Sequence, residues 1–301
     1  MKAPRLQVGD TVGIVSPSWG GASVFPHRLE RGIQQLEALG FKVKIGEHAR
    51  NQRGFVSDTA ENRAQDIHKM FADSEVKAIF SAIGGDHSCH LLPHLDFDLI
   101  HANPKIFVGY SDTHILSVAI WKQTRLVTFV GPAVLTDFAE FPSMFEYTRD
   151  HMMRLLTRSE PIGRIEPSPW WTEEFLDWSE KKDLERPRMQ QPSDGWVWLK
   201  GGQAEGVLIG GRLESLQHLR GTRFWPDWEK GLLVGRPMYY TDAQKQQLRE
   251  VLLERTRRYD FPIIMNMDFG HTAPQFTLPI GCRARIDIEH QQFEIIESAV
   301  E

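Results

Sequence analysis

A serine and an aspartate stand at a sharp corner of this sequence, where both could take part in chemistry. In the stretch KIFVGYSDTHIL an apolar run ends at Gly-Tyr-Ser-Asp, and a helix-like pattern begins at once. Such a corner exposes the hydroxyl of Ser111 and directs backbone N–H groups at an incoming oxyanion, as a nucleophile elbow does. The residue two after the serine is Thr113 and not the glycine of the elbow consensus. Taken alone, the stretch favours the simpler interpretation that Ser111 or Asp112 caps the helix.

A general base for such a serine is available in His271, which follows a predicted strand in the stretch MDFGHTAPQ. A histidine with an ordinary pKa of about 6.5 can accept the proton of a hydroxyl nucleophile. The chain has 12 histidines, so any single one is more often structural or solvated. The cluster of His87, His90, His94 and His101 lacks the spacing of a metal site, and we predict none there.

Two further groups of residues are candidates for ligand contact. The loop IGGDHS contains Gly84 and Gly85, and paired glycines let a backbone approach a ligand closely, although a tight strand-to-helix turn explains them as well. Five of the 9 tryptophans fall in one irregular region. They are Trp170, Trp171, Trp178, Trp196 and Trp198. Loop tryptophans either pack beneath the loop or form a stacking wall, and we expect packing for most of them and ligand contact for Trp171.

The elements that position these residues follow a repeated strand–helix–strand order in the first half of the chain. Apolar runs such as TVGIV, VKAIFS and KIFV alternate with helical periodicity in RLERGIQQLEALG and TAENRAQDIHKMFAD. This order predicts an α/β fold with a Rossmann-like or flavodoxin-like parallel sheet covered by helices. Ligands bind at the carboxyl ends of such strands, so we expect loops 16–21, 84–88 and 109–112 to form the site.

The chain divides into three predicted parts. Residues 1–155 are expected to form the α/β domain that carries the nucleophile. Residues 156–200 are rich in Pro, Trp and charge and are expected to form a linker and a crossing loop. Residues 201–301 are expected to form a smaller, β-rich α+β domain that carries His271.

Composition and charge exclude several classes of protein. The 301 residues are 41% hydrophobic and 25% charged, as in soluble globular proteins. A formal charge of −5 gives no electrostatic case for nucleic acid or an anionic membrane as partner. The sequence has no apolar run of about 18 residues and no secretory signal. Cys89 and Cys282 fit no metal or redox spacing, so we expect free thiols and a cytoplasmic protein.

Seven motifs together resemble the LD-carboxypeptidase family of serine peptidases. They are IVSPSWG, AIGGDHSCHLLPHLDFDLI, NPKIFVGYSD, TFVGPAV, LIGGRLESLQHLRGT, GLLVGRPM and MDFGHT, in family order over nearly the whole chain. The segment SPWWTEEFLDW resembles the microcin C7 self-immunity branch more than the murein tetrapeptide branch. The resemblance implies a two-domain homodimer with the site between the domains and with no metal or organic cofactor.

The resemblance also implies roles for individual residues. Ser111 matches the nucleophile and His271 its general base. The N–H groups of Gly85 and Asp112 match the oxyanion hole.

The resemblance further implies a substrate class. The reaction would be cleavage of an amide next to a free carboxylate in a peptidyl- or aminoacyl-nucleotide toxin, or alternatively in a murein tetrapeptide. Trp171 matches the crossing-loop aromatics that stack on a nucleobase in the immunity branch. Arg212 lies where that branch commonly has a polar substrate-binding residue.

The sequence departs from the family at its catalytic glutamate. In the family this residue lies on a strand, followed by a helix, between the GT…P turn and the GLLVG strand. Here GTRFWPDWEKGLLVG joins these landmarks, so a strand–helix unit of roughly thirty residues is missing near Glu229–Lys230. Glu229, Glu214 and Asp268 are candidates to replace the acid, whose loss can lower kcat by orders of magnitude. A binder that no longer cleaves its ligand is therefore an alternative function, and the deletion could be natural or engineered.

Overall fold

A computed structural model of the chain describes residues 1–226 and 231–301. The strands are β1 (Thr11–Val15), β2 (Lys42–Ile45), β3 (Val76–Ser81), β4 (Ile106–Val108), β5 (Thr128–Val130), β6 (Gly163–Arg164), β7 (Trp170–Trp171), β8 (Gln191–Pro192), β9 (Val197–Lys200), β10 (Gln203–Val207), β11 (Leu232–Gly235), β12 (Ile263–Met267), β13 (Leu278–Ile280), β14 (Arg283–Asp287) and β15 (Gln292–Ile295). The α-helices are α1 (Gly21–Val24), α2 (Pro26–Ala38), α3 (Ala60–Ala72), α4 (Phe97–Ala102), α5 (His114–Thr124), α6 (Glu146–Thr157), α7 (Leu213–Leu216) and α8 (Asp242–Thr256). Short 3-10 turns lie at Ser88–His94, Ser111–Thr113, Lys182–Leu184 and Gln217–Leu219, and a π-helical turn lies at Val134–Phe138.

The largest sheet has six strands in the spatial order β13-β5-β4-β3-β1-β2. Strands β1 to β5 run parallel to their neighbours, and β13 pairs antiparallel with β5 at the edge. The inner strands β3 and β4 are apolar and buried because helices cover both faces of the sheet. The predicted parallel α/β sheet is thus confirmed.

Local sequence signals start and stop the helices. Thr59 caps α3, since its hydroxyl accepts a hydrogen bond from the backbone N–H of Asn62 at 3.2 Å. Helix α2 begins with Pro26, whose fixed φ suits a first helical turn. Gly40, in the left-handed region at φ 92°, ends the turn after α2.

Smaller sheets form the rest of the molecule. An antiparallel sheet is formed by β10, β14, β15 and β6, and β14 and β15 are its hairpin. Strands β11, β12 and β9 make a three-stranded sheet, in which β11 is parallel and β9 antiparallel to β12. In the crossing loop, β7 and β8 form a short ribbon.

The end of the chain contributes to the first sheet. Strand β13 is its edge, and outside the named strands Val300 forms an isolated parallel bridge with Ala3. The boundaries at 155 and 200 stay a prediction. Among the described residues, no helix is both long enough and apolar enough to cross a membrane.

Candidate functional site

The corner between β4 and α5 holds Ser111 in an unusual backbone conformation. Its φ is 59°, in the left-handed region that few non-glycine residues adopt outside strained functional turns. The hydroxyl of Thr113 donates to the carbonyl of Tyr110 at 2.8 Å and steadies the turn. A Cβ on Gly109 would lie 2.4 Å from that hydroxyl oxygen, so glycine at 109 makes room for the threonine that replaces the consensus glycine.

Long-range folding brings His271 to this corner. The histidine follows β12, and its Nε2 lies 2.9 Å from Oγ of Ser111, although 160 residues separate the two. The ring of Tyr110 lies 5.7 Å from the imidazole, centroid to centroid. A hydroxyl and an imidazole at this distance can exchange a proton, which is the first requirement for nucleophilic catalysis by serine.

The surroundings lower the pKa of His271. The largest cause is the crowding of the ring by protein atoms, and the nearby Arg212 acts in the same direction. Two carboxylates, Glu214 and Asp137, oppose the shift. The imidazole is therefore mostly neutral, and able to accept a proton, at neutral pH.

The double-glycine loop runs directly against the serine. A Cβ on Gly84 would lie 2.9 Å from Cβ of Ser111 and 3.3 Å from the backbone nitrogen of Asp112. Gly85 has φ 148°, and a Cβ there would lie 2.4 Å from the hydroxyl of Ser18. A side chain at either position would force its neighbours to shift, so glycine at 84 lets the loop approach the serine this closely.

The side chain of Asp112 holds this loop in place. Its buried Oδ2 accepts from the hydroxyl of Ser18 at 2.7 Å and from the backbone N–H groups of His87 and Ser88 at 2.9 and 2.8 Å. Helix α5 has no side-chain hydrogen bond at its N-cap. The interpretation of Ser111 or Asp112 as a helix cap is therefore wrong, because the carboxylate bonds to a neighbouring loop instead.

His114 packs beneath the serine and was not singled out from the sequence. Its Nδ1 contacts the carbonyl oxygen of Ser111 and lies 3.3 Å from the backbone nitrogen of Arg212. Burial lowers the pKa of His114 to about 4, so the ring is neutral at physiological pH. A Cβ on Gly211 would lie 1.8 Å from the ring, so the glycine lets this segment pack on the corner.

Arg212 lies beside the glycine loop. Its Nη1 is 3.4 Å from the carbonyl oxygen of Gly85 and 3.1 Å from the carboxylate of Asp86. Its Nε is 3.5 Å from Glu214, whose side chain is 73% exposed. The guanidinium is thus a partly open cation at the rim of the site.

Trp171 reaches the site through the crossing loop. The next residue, Thr172, exchanges two backbone hydrogen bonds with Ala273, at 2.7 and 3.0 Å, so the loop is fixed two residues from His271. The guanidinium of Arg236 stacks 4.6 Å from the centroid of the Trp171 ring. The ring is half-buried, so its exposed part is open to a ligand.

The other crossing-loop tryptophans divide between core and surface. Trp178 and Trp196 are buried, as expected for packing residues, and Trp198 is half-buried against the core. Trp170 is 49% exposed. The expectation of packing thus holds for Trp178 and Trp196.

The carboxylate of Asp268, a candidate to replace the acid, forms its hydrogen bonds with residues other than His271. Its Oδ2 accepts from the backbone N–H of Ser168 at 2.9 Å and from the indole N–H of Trp196 at 2.8 Å, and its Oδ1 pairs with Arg236 at 3.2 Å. These bonds stabilise the base of the crossing loop. Of the other two candidates for the acid, Glu229 lies outside the described residues, and Glu214 pairs with Arg212.

The buried Asp137 was missed in the sequence, where TDF after GPAV carries no motif signal. It lies in the π-helical turn after β5 and faces the His271 loop. The described residues contain no group of three or more His, Cys, Asp or Glu side chains that could hold a metal ion. Cys89 and Cys282 are unpaired with each other.

Comparison with known proteins shows the same order of domains. Residues 12–131 match the model of the LD-carboxypeptidase N-terminal domain, and residues 229–286 match that of the LD-carboxypeptidase C-terminal domain. The chain is 30% identical to the microcin C7 self-immunity protein MccF of Escherichia coli, over 98% of this chain and 95% of that protein. It is 29% identical to a probable murein peptide carboxypeptidase of Bacillus subtilis, over 99% of this chain and 95% of that protein.

Solved structures agree with these relatives. MccF in complex with aspartyl sulfamoyl adenosine superposes with a TM-score of 0.92 at 30% identity, and 100% of each chain is covered. An MccF-like protein from Bacillus anthracis superposes with a TM-score of 0.91 at 31% identity, over 99% of each chain.

The alignments also contain gaps on the side of this chain. The alignment with the E. coli protein runs over 330 positions, although this chain has 301 residues. The alignment with the B. subtilis protein runs over 334 positions. The excess is close to the size of the missing unit, roughly thirty residues for a strand and a helix. With both domain models matched in order and a relative of 30% identity aligned over almost its full length, the chain belongs to the LD-carboxypeptidase family.

Proposed function

We propose that the protein is a serine carboxypeptidase or amidase that cleaves an amide bond next to a free carboxylate in a peptidyl- or aminoacyl-nucleotide. The observation that carries this proposal is the 2.9 Å contact between Oγ of Ser111 and Nε2 of His271 at a left-handed strand–helix corner. A serine in that conformation, bonded to a largely neutral imidazole, is an activated nucleophile.

The reaction follows from the positions of these groups. Oγ of Ser111 attacks the carbonyl carbon of the scissile amide while Nε2 of His271 takes its proton. The N–H groups of Gly85 and Asp112 donate to the oxyanion. The imidazolium then protonates the leaving amine, and the acyl-serine forms. Water attacks this ester with His271 again as the base, which releases the acid and restores the serine.

The rim of the site supports a nucleotide-linked, carboxylate-bearing substrate. Arg212 offers a partly exposed guanidinium next to the glycine loop, suited to a free carboxylate. Trp171, backed by Arg236, offers a rigid ring face suited to stacking on a nucleobase. MccF has been solved in complex with aspartyl sulfamoyl adenosine and with glutamyl sulfamoyl guanosine. This similarity favours the same substrate class here.

Two alternatives follow from specific observations. The relatives include a probable murein peptide carboxypeptidase of Bacillus subtilis and a murein tetrapeptide carboxypeptidase of Pseudomonas aeruginosa, so a murein tetrapeptide is the second substrate class. The missing strand–helix unit favours the other alternative, a protein that binds the same ligands without cleaving them.

The test is hydrolysis of aspartyl sulfamoyl adenosine and of a murein tetrapeptide, followed by chromatography of the products. The matched control is Ser111→Ala, which removes only the hydroxyl. We expect serine-dependent release of aspartate from the adenosine analogue. Cleavage of the tetrapeptide alone would assign the murein branch, and undiminished cleavage by Ser111→Ala would contradict the mechanism.

Calorimetric titration of Ser111→Ala separates enzyme from binder. The variant is expected to bind aspartyl sulfamoyl adenosine, and the double variant with Trp171→Ala is expected to bind it about tenfold more weakly, since one stacked base contributes roughly 1–3 kcal/mol. Binding by the wild type without any cleavage would establish the binder.

A further inference from the structure

His271 needs a negative charge nearby, because it becomes an imidazolium when it takes the proton of Ser111. The resemblance implies that the family's acid lies on the strand–helix unit predicted to be missing here, and Asp268 is bonded elsewhere. On the basis of the proposed function, we propose that Asp137 is a positioning residue that takes over part of this role. It anchors the loop that carries His271 and supplies a buried negative charge to the imidazolium.

The topology places Asp137 on the correct edge of the sheet. Strands β4 and β5 are parallel neighbours, so their carboxyl ends lie side by side. Ser111 follows β4, and Asp137 follows β5 in the π-helical turn. The nucleophile and this carboxylate therefore belong to the same end of the sheet, where sites of such folds lie.

The turn that carries Asp137 is held rigidly by α2. A Cβ on Gly32 would lie 2.6 Å from the carbonyl oxygen of Val134, so helix and turn are in close contact. Arg28, also on α2, donates to the carbonyl oxygens of Leu135 and Thr136 at 2.8 and 3.0 Å. A charge on this turn is thus fixed in space before any substrate binds.

Both oxygens of Asp137 accept hydrogen bonds. Oδ2 accepts from the backbone N–H of Ala133 at 3.0 Å and from the hydroxyl of Thr136 at 2.6 Å. Oδ1 accepts from the side-chain amide of Gln275 at 2.9 Å. These three bonds hold the carboxylate in one orientation, and the side chain is only 8% exposed.

The bond to Gln275 connects Asp137 with the catalytic histidine. Gln275 lies four residues after His271 in the same loop, and its backbone N–H donates to the hydroxyl of Thr148 at 2.9 Å. Asp137 and Thr148 thus fix the loop on the first half of the chain, and the backbone pair of Thr172 and Ala273 fixes it on the crossing loop. Asp137 therefore supports the position of the imidazole through Gln275.

The charges around His271 differ in their exposure: some face solvent, where salt screens them, and one is buried. Arg212 and Glu214, paired with each other at the rim, act in opposite directions and face solvent. The phenol of Tyr110 contributes an uncharged ring. Asp137 is the buried carboxylate that raises the pKa of His271. A buried charge is screened much less by salt than an exposed one, so the two carboxylates can be told apart experimentally.

The deciding experiment is an NMR titration of the His271 imidazole in ¹⁵N-labelled protein. Asp137→Asn removes the buried charge, and Glu214→Gln is the matched change at the surface. We expect Asp137→Asn to lower the pKa of His271 both at low salt and at about 1 M salt, where the Debye length is roughly 3 Å. Glu214→Gln should lower it at low salt only. An unchanged pKa in Asp137→Asn, or a change that vanishes at high salt, would overturn the proposal.

Kinetics test the anchoring role. With the substrate that the hydrolysis assay identifies, Asp137→Asn should lower kcat about tenfold or more at nearly constant KM, and move the acid limb of kcat/KM to lower pH. Gln275→Leu keeps the charge but breaks the bond, and should lower kcat while the pKa of His271 stays near that of the wild type. A wild-type kcat in Gln275→Leu would refute the anchoring role of the bond between Gln275 and Asp137. This test does not depend on whether Asp137→Asn folds. The titration needs no turnover, so a failure of the proposed function and a failure of this inference give different results.

Discussion

Ser111 differs from an ordinary helix cap in its backbone conformation and in the hydrogen-bond partners of its neighbour, Asp112. Its left-handed φ points the hydroxyl at His271, and the carboxylate of Asp112 bonds to the loop at 87–88. The sequence predicts the serine, the histidine and the glycine loop. It does not predict that Asp112 accepts from three donors, because those partners lie 24 to 94 residues away and share no periodic pattern with it.

Replacement of Asp112 by asparagine tests this organisation. The amide keeps the size of the side chain and can place its oxygen at the Oδ2 position, but it lacks the negative charge, so the bonds from Ser18 and from residues 87–88 become weaker. We expect kcat to fall by about 10²-fold, the effect of a displaced oxyanion donor. The measurement is steady-state hydrolysis of aspartyl sulfamoyl adenosine, with Asp98→Asn on the exposed surface as control. Equal kcat values for the two variants would show that the carboxylate does not organise the loop.

The pH dependence follows from His271. Its pKa is lowered from the usual value because protein atoms crowd the ring and because Arg212 is near. Protonation removes the base, so activity is lost as pH falls through this lowered pKa. We expect the acid limb of kcat/KM below about pH 6.5, the ordinary pKa of histidine. A pH–rate profile between pH 4 and 9 measures it, and a limb above the ordinary value would contradict the expected environment.

At the scale of elements, a buried ion pair anchors the crossing loop on α2. Arg28 on α2 pairs with Asp183 at 2.9 Å, and both side chains are almost fully buried. The same guanidinium lies 4.5 Å from the centroid of the Trp178 ring. The composition of this segment predicted a loop, but its anchors on α2 are long-range contacts that no local pattern reveals.

Removal of Asp183 should release the loop. Asp183→Ala leaves Arg28 buried without its partner, which costs about 3–5 kcal/mol of folding free energy. We expect a lower Tm and, because Trp171 lies on the same loop, a higher KM. Glu180→Ala in the exposed pair with Lys182 is the matched control and should change Tm little. Thermal melts and steady-state kinetics of both variants test this prediction. Similar Tm values for the two variants would argue against an anchoring role of the Arg28–Asp183 pair.

At the scale of the whole molecule, elements that follow the predicted gap near Glu229–Lys230 are poorly covered. Helix α8 is exposed along most of its length, and Val251 and Leu253 on it are 43% and 41% exposed. Strand β11 is only half-buried. The sequence predicts a gap from the order of its motifs, and this stays a prediction. It did not predict that β13 completes the first sheet, because a three-residue strand has too little pattern to reveal its partner.

Hydrogen exchange should record this uneven packing. The amides of α8 are expected to exchange much faster than those of α3, a helix of similar length that buries one face against the main sheet, because local opening of α8 exposes little apolar surface. Exchange measured by mass spectrometry on the full chain compares the two helices directly. Equal protection of the amides in α8 and α3 would contradict the expected difference in packing between the two helices.

The edge strand β13 has a consequence for how this chain can be recombined. Leu278 and Ile280 pair with Val130 and Thr128, so the last quarter of the gene encodes part of the sheet that holds the serine. A chimera that joins the first half of this chain to the second half of a relative therefore imports a foreign edge strand. An exchange that leaves this sheet intact would therefore have to keep residues 278–280 with the first half of the chain.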